Sequence, residues 1–325
     1  MEITYLEVEE AGSLAPFYNA EFAHLPYRYP VAESEFCAGV RFRADGDEPY
    51  PNLSQERFIV ARQGVEVVGF AHVALWSKES DDLIWIGLHL VEEILDDRVG
   101  LIRFFHYRGG QRRAGQAILE AAENYFRQWG LKQVRVFSYY AYPFCLFDRT
   151  FLFDSMAHVH ALLRANGYRI TRGNALLDQR GRPPARPSSP VGGLEVRIEA
   201  VEGRGDLPNV TLHLMRGSEE VGSSSAVSHG HYCSAGQAQT SYYVGWFGTA
   251  GPEQGKGLGR YLLQVLLWEM QGIGYENATL YVALDNPVAQ LLYTNGGFRL
   301  VDNMYVLFKD MERELPLPVF KGVGF

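Results

Sequence analysis

Gln254-Gly255-Lys256-Gly257-Leu258-Gly259-Arg260 alternates glycine with larger residues and runs directly into an apolar helical pattern at Leu262, Val265, Leu266 and Trp268. Just upstream, Ser241-Tyr242-Tyr243-Val244-Gly245-Trp246-Phe247 carries the aromatic and β-branched residues of a strand. A strand, a glycine-rich turn and a helix start together form an anion-binding device. Unpaired backbone N–H groups and the positive end of the helix dipole meet there at one point. Glycine lets the backbone approach a phosphate closely, and Lys256 and Arg260 add positive charge. A phosphorylated ligand is therefore expected.

Register separates three kinds of phosphate loop. The P-loop needs G-x-x-x-x-G-K followed by Ser or Thr; Gly251 to Gly255 is one residue short, and Gly257 follows Lys256. The dinucleotide fingerprint G-x-G-x-x-G would place its last glycine at Arg260 or Leu262. The third pattern is Gln or Arg, two residues, Gly, one residue, then Gly or Ala, and Gln254, Gly257 and Gly259 meet it. Downstream, Ala278-Thr279-Leu280-Tyr281-Val282-Ala283-Leu284 reads as a second strand. Asn286-Pro287-Val288-Ala289-Gln290-Leu291-Leu292-Tyr293 follows, closed by Gly297-Phe298.

In order and spacing these two stretches resemble the signatures of the GCN5-related N-acetyltransferases (GNAT). The resemblance implies an α/β (α+β) fold with a mixed central β-sheet flanked by helices. It implies acetyl-CoA as cofactor and transfer of its acetyl group to an amine, by direct attack in a ternary complex. Gln254, Gly255, Lys256, Gly257, Leu258, Gly259 and Arg260 would hold the pyrophosphate. Phe247, Gly248 and Thr249 would face the pantetheine arm and the thioester. Tyr293 occupies the place of the family's general acid, and a phenol can donate a proton to a departing thiolate. Asn286 is expected to cap the helix that carries Tyr293, with Pro287 in its first turn.

An amine acceptor must lose a proton before it attacks. His229, His231 and Glu220 are the candidates for that base. His229, His231 and Cys233 alternate at strand spacing, so a shared face is expected, and histidine titrates in the useful range. A zinc site is not expected, because three ligands on one strand lack an evident fourth.

The chain has 325 residues and a formal net charge of −8. Two domains are expected from that length, and the acidic balance argues against a nucleic-acid partner. No run approaches the roughly 18 apolar residues of a membrane span, and the start does not read as a signal peptide. Cys37, Cys145 and Cys233 are far apart and odd in number, which suggests reduced thiols in the cytoplasm.

The proline-rich stretch at 181–193 reads as a semi-stiff linker between residues 1–180 and 194–325. The first half repeats the organisation of the second. After a strand at Leu101 to Tyr107, Arg112, Gly115 and Ala117 meet the same loop pattern, and an amphipathic helix through Ile118, Ala122, Tyr125 and Trp129 follows. Tandem GNAT-like domains are therefore expected, with Arg112 and Gly115 as cofactor-binding residues of a degenerate first copy. Counting back from Tyr168 as from Phe298 puts Leu163 where Tyr293 stands, and Met156 where Asn286 stands. The first half is thus expected to be a scaffold. Between Leu194 and the strand at Val210 there is no room for the two early helices of the first half. An open acceptor pocket, or one closed by the first half and residues 315–325, is expected. The acceptor is a small-molecule or peptide amine, and the chain is a monomer of paired folds or a homodimer. The alternatives are a non-catalytic CoA-binding sensor, or transfer from another acyl-CoA or to a non-amine.

Overall fold

The computed structural model describes residues 1–22, 24–41, 52–77, 97–137, 142, 144, 152–181 and 185–312. Cys145, most of the stretch at 81–99 and the tail from 313 onward lie outside the described residues.

The first half begins with β1 (Glu2–Leu6), a 3-10 turn, α1 (Ala15–Phe22) and α2 (Glu33–Arg41). Strands β2 (Leu53–Gln63) and β3 (Glu66–Ser77) form a hairpin about Gln63-Gly64. Then come β4 (Arg98–Tyr107), α3 (Arg112–Gln128), β5 (Gln133–Val136), the short β6 (Leu152–Phe153), α4 (Ala157–Ala165) and β7 (Arg169–Arg180). The second half has β8 (Leu194–Val201), β9 (Asn209–Arg216), β10 (Glu219–Ser228) and β11 (Ser241–Thr249). It closes with α5 (Leu258–Ile273), β12 (Asn277–Ala283), α6 (Pro287–Asn295) and β13 (Arg299–Asp310).

The thirteen strands among the described residues belong to one sheet, in the order β1-β2-β3-β4-β5-β13-β7-β12-β11-β10-β9-β8, with β6 on β13. Each half lends its last strand to the other. β7 pairs with β12 from Asn277↔Arg180 to Ala283↔Asn174, and β13 pairs with β5 from Leu307↔Val136 to Asp310↔Gln133. The two exchanged strands pair with each other at the centre. Residues 194–325 expressed alone would leave β12 an unpaired edge, a template for aggregation. The expected outcome is insoluble or monodispersity-failing protein, against a single cooperative transition for the full chain, read by size exclusion and circular dichroism.

Burial sets the orientation of α5. Leu258, Leu262, Leu263, Val265, Leu266 and Met270 face the sheet, where Val210, Leu212, Leu214, Tyr242 and Val244 receive them. Each such side chain contributes roughly 2 kcal/mol, so the helix start is held fixed against β11. No helix among the described residues is long and apolar enough to cross a membrane.

Three local expectations change. On α3 the buried face runs through Ile118, Leu119, Ala122 and Phe126, while Trp129 is exposed, because the helix ends at Gln128. The described part of the 181–193 stretch is tied down along α5: Arg186 pairs with Glu269 at 3.2 Å and Gln271 donates to the Gly181 carbonyl. His229, His231 and Cys233 do not share a strand face. β10 stops at Ser228, whose hydroxyl accepts from the Gly230 N–H, and His229–His231 is a 3-10 turn. A serine cap competes there with the ladder.

Candidate active site

β11 and β12 are parallel neighbours over only Ser241↔Asn277, Tyr242↔Ala278 and Tyr243↔Thr279. Beyond Tyr243 they part, although β11 continues to Thr249 and β12 to Ala283. A bulge in β11 lies at the parting: Ser225 pairs with Trp246 and Ala226 with Val244, so Gly245 is the extra, unpaired residue. The Trp246 N–H donates to the Ser225 hydroxyl at 2.9 Å. A bulge of this kind bends and twists its strand, and it opens a fork between β11 and β12. Phe247, Gly248 and Thr249 all lie on the splayed part.

The glycine loop closes one end of this fork. Gly255 and Gly257 have φ of 77° and 81°, in the left-handed region, and Gly257 is the N-cap of α5. A Cβ at Gly255 would meet nothing within 4 Å. Gln254 ties the loop to the end of β11 through the Thr249 carbonyl, at 3.4 Å. Lys256 lies 3.3 Å from Glu253, which Arg216 grips with two bonds of 2.6 and 2.9 Å. Hydrogen bonding to Arg216 holds the Glu253 carboxyl below its ordinary range. Arg260 is exposed in the first turn, beside Gly259 and the buried Leu258. A helix N-terminus with left-handed glycines and adjacent cations suits a phosphate.

α6 supplies the other wall. The Asn286 side chain accepts from the Ala289 N–H at 3.1 Å, and Pro287 opens the helix, as expected. Tyr293 is 9% exposed, and its ring packs edge-on against Phe247 of β11 and tilted against Phe298, both with centroids 5.9 Å away. Its hydroxyl makes no hydrogen bond to a described residue. Burial pushes the phenol up to about 12, so at neutral pH it holds its proton.

The histidines are placed differently. His229 is buried, and burial lowers its pKa well below the ordinary value. Thr279 Oγ1 donates to the Tyr242 carbonyl, so it accepts from His229 Nε2 at 2.9 Å. Nδ1 then accepts from the Tyr29 hydroxyl at 2.8 Å. This chain leaves no lone pair free for a base. His231 lies beside the Arg204 N–H, 3.4 Å from Nδ1. Cys233 is buried in the core. Glu220 accepts from His213 Nδ1 at 2.7 Å, and bonding to His213 lowers its pKa. His213 was not evident from spacing, since only the pairing of β9 with β10 brings it to Glu220. In register, His213, Ser223 and Gly248 form one row across β9, β10 and β11.

The first half has the same fork, with β4 and β5 paired only from Gly100↔Val134 to Ile102↔Val136. Its own residues close it. His158 Nε2 donates to the Tyr107 carbonyl at 2.7 Å, and the Tyr107 hydroxyl donates to the His158 carbonyl at 2.8 Å. α3 begins at Arg112, so Gly115 is its fourth residue, a full turn inside the helix. A Cβ at Gly115 would stand 2.4 Å from the Tyr107 ring. Gly115 is thus a helix–strand packing glycine rather than a phosphate contact, and the left-handed glycine of this loop is Gly110, at φ 83°. Arg112 is exposed in an open depression with Gly110, Gln111, Arg113 and Gln116. Leu163, at the place of Tyr293, is fully buried.

No protein-family model matches the chain, and no curated protein matches it. Solved structures do. A tandem GNAT protein from the clavulanic acid biosynthesis pathway is similar over 95% of this chain and 99% of its own, with a TM-score of 0.66 and 13% identity. A GCN5-related N-acetyltransferase from Sphaerobacter thermophilus is similar over 97% and 98%, with a TM-score of 0.57 and 14% identity. The glucosamine N-acetyltransferase region of a fungal multi-domain β-N-acetylglucosaminidase is similar over 95% of this chain and 38% of that one, with a TM-score of 0.62 and 12% identity. Two forks, two helix-start loops and one sheet end to end give this chain the tandem GCN5-related N-acetyltransferase fold.

Proposed function

We propose that the second half transfers an acetyl group from acetyl-CoA to an amine. The observation that carries this reading is Tyr293 packed against Phe247, inside the fork beside the β11 bulge at Gly245. Acetyl-CoA supplies the activated thioester. The Gly255–Gly257 turn and the start of α5 receive its pyrophosphate through backbone N–H groups, with Lys256 and Arg260 beside them. The edge of β11 freed beyond Tyr243 offers its peptide groups to the pantetheine amides and the thioester oxygen, as donors aimed at developing charge. Tyr293, protonated and with no hydrogen bond to a described residue, gives its proton to the departing thiolate. His213, oriented by Glu220, takes the amine proton through water from the open face of the same sheet. The first half, closed by His158 and Tyr107, acts as scaffold.

The test pairs binding with turnover. Acetyl-CoA should bind the full chain by calorimetry, and an amine panel should release free thiol. Gly257→Ala should weaken acetyl-CoA binding by at least about tenfold, because a Cβ in the left-handed region costs about 1–2 kcal/mol and displaces the N-cap. Arg112→Ala should leave binding unchanged. Binding lost in Arg112→Ala and kept in Gly257→Ala would move the cofactor to the first half. Binding without thiol release from any amine would favour a CoA sensor.

A further inference from the structure

The segment between α1 and α2 crosses from the first half onto the second, and it carries a buried cation with no counter-charge among the described residues. Arg28 is 4% exposed, and its Nε and Nη1 have no hydrogen-bond partner among the described residues. Its guanidinium lies over the Phe153 ring, 4.6 Å from the centroid. Its neighbours clamp it there. The Tyr27 hydroxyl donates to Asp178 of β7 at 2.6 Å, and the Tyr29 hydroxyl donates to His229 at 2.8 Å. Tyr27 pays for this with φ of 56°, a left-handed conformation rare for an aromatic residue. Strain of this kind persists where the surroundings over-determine it, and it gathers at ligand sites.

A second unpartnered donor lies on the same face. Asn174 is 1% exposed, and its Nδ2 has no partner among the described residues. Phe153 pairs with Met304, Met304 with Asn174, and Asn174 with Ala283. Antiparallel register partners share a face, so these four residues form one row across β6, β13, β7 and β12. The row ends on β12, the strand that forms one arm of the fork. Thr279 and Tyr281 of β12 share the face of Ala283 by alternation. A buried guanidinium and a buried amide, both lacking acceptors, are costly unless a ligand supplies the acceptors. A planar carboxylate matches the guanidinium fork.

We infer that Arg28 and Asn174 form an anion subsite for the acceptor, so that the amines acetylated in the second half carry a carboxylate, as an amino acid does. This inference rests on the transfer reading above and names its substrate class. It also gives the first half a part in the second half's specificity, across the face that lacks early helices.

The experiment compares L-amino acids with their carboxamides as acceptors in the thiol-release assay, for the full chain and for Arg28→Met, Arg28→Lys and Asn174→Ala. In parallel, N-acetyl-amino acids and N-acetyl-amino-acid amides are tested as ligands by thermal shift without CoA. The native chain should favour the free acids. Arg28→Met should raise KM for them by about 10- to 100-fold, the worth of a charge-assisted bond, and leave the amides and acetyl-CoA affinity unchanged. Its Tm should be equal or higher, since an unpaired buried charge is gone. Arg28→Lys should recover part of the preference, and Asn174→Ala should lose part of it. Equal turnover of acids and amides by the native chain would overturn the subsite. So would an Arg28→Met variant that melts lower and loses both classes alike, which would make Arg28 a support for Phe153. Protection of the native chain, but not of Arg28→Met, by N-acetyl-amino acids with no turnover of any amine would uphold the subsite and sink the transfer reading.

Discussion

Tyr293→Phe will lower the rate of thiol release by about 10²- to 10³-fold while acetyl-CoA affinity stays within about twofold, because only the proton is removed. The ring keeps its packing on Phe247 and Phe298, and the hydroxyl has no described partner to strand. Stability should therefore change little. The pH profile gives a second check. Burial raises the phenol to about 12, so the acid remains protonated until pH approaches that value. The rate should climb from neutral pH as the amine loses its proton, with no descending limb below about pH 10. A limb falling near pH 8 or 9 would assign the proton to another group. Stopped-flow thiol detection across that range, with calorimetry for affinity, measures both.

The largest effect on stability is expected in the first half. Arg103 is fully buried, and its Nη1 donates to Glu56 at 2.5 Å and to the Val40 carbonyl at 2.8 Å, fastening α2 to β2 and β4. His72 stacks on Phe58, with Nε2 3.1 Å from Glu56 and Nδ1 3.0 Å from the Tyr142 hydroxyl. Arg103→Met leaves the half-buried Glu56 carboxylate without its guanidinium, with only His72 beside it among the described residues, and the cost should lie near the low end for breaking a buried pair, about 3 kcal/mol. Replacing both, Glu56→Leu with Arg103→Met, should recover most of that loss. Denaturant titration of the two variants reads the difference.

The same network sets the acid sensitivity. Burial lowers His72 to about 4, and the Arg103 charge acts in the same direction. The folded state thus refuses a proton that the unfolded chain accepts near 6.5. Stability should fall as pH drops from about 6.5 to 4, by about 3 kcal/mol, and His72→Gln should flatten that slope. Burial pushes Glu56 up, but Arg103 and His72 together hold it at about 2. Its depressed pKa contributes stability above about 4.5, which is lost as pH falls through about 2.

The fork was legible in outline because strand residues, glycines and an amphipathic helix sit within one short stretch. Glycine inside a strand marks a bulge or close approach, and Gly245 is the extra residue of the bulge in β11. The repeat in the first half was legible as a repeat, but its register was not. Arg112, Gly115 and Ala117 satisfy the loop pattern one turn too late, because nothing in spacing distinguishes a glycine that caps a helix from one that lies under Tyr107. His229, His231 and Cys233 alternate as a strand does, yet Ser228 captures the Gly230 N–H and ends it.

What the sequence by itself determined is local: the helix-start cradle at Gln254 to Arg260, the capped helix of Tyr293, and the loss of that tyrosine at Leu163. These depend on backbone chemistry within a few residues. What only the tertiary structure decided is the rest of the site. The exchange of β7 and β13, the His213–Glu220 pair, the chain from Tyr29 through His229 to Thr279, and Arg28 lying over Phe153 all join residues far apart in sequence. Hydrogen bonding between strands and burial against a distant partner choose them, and neither leaves a periodic trace in the chain.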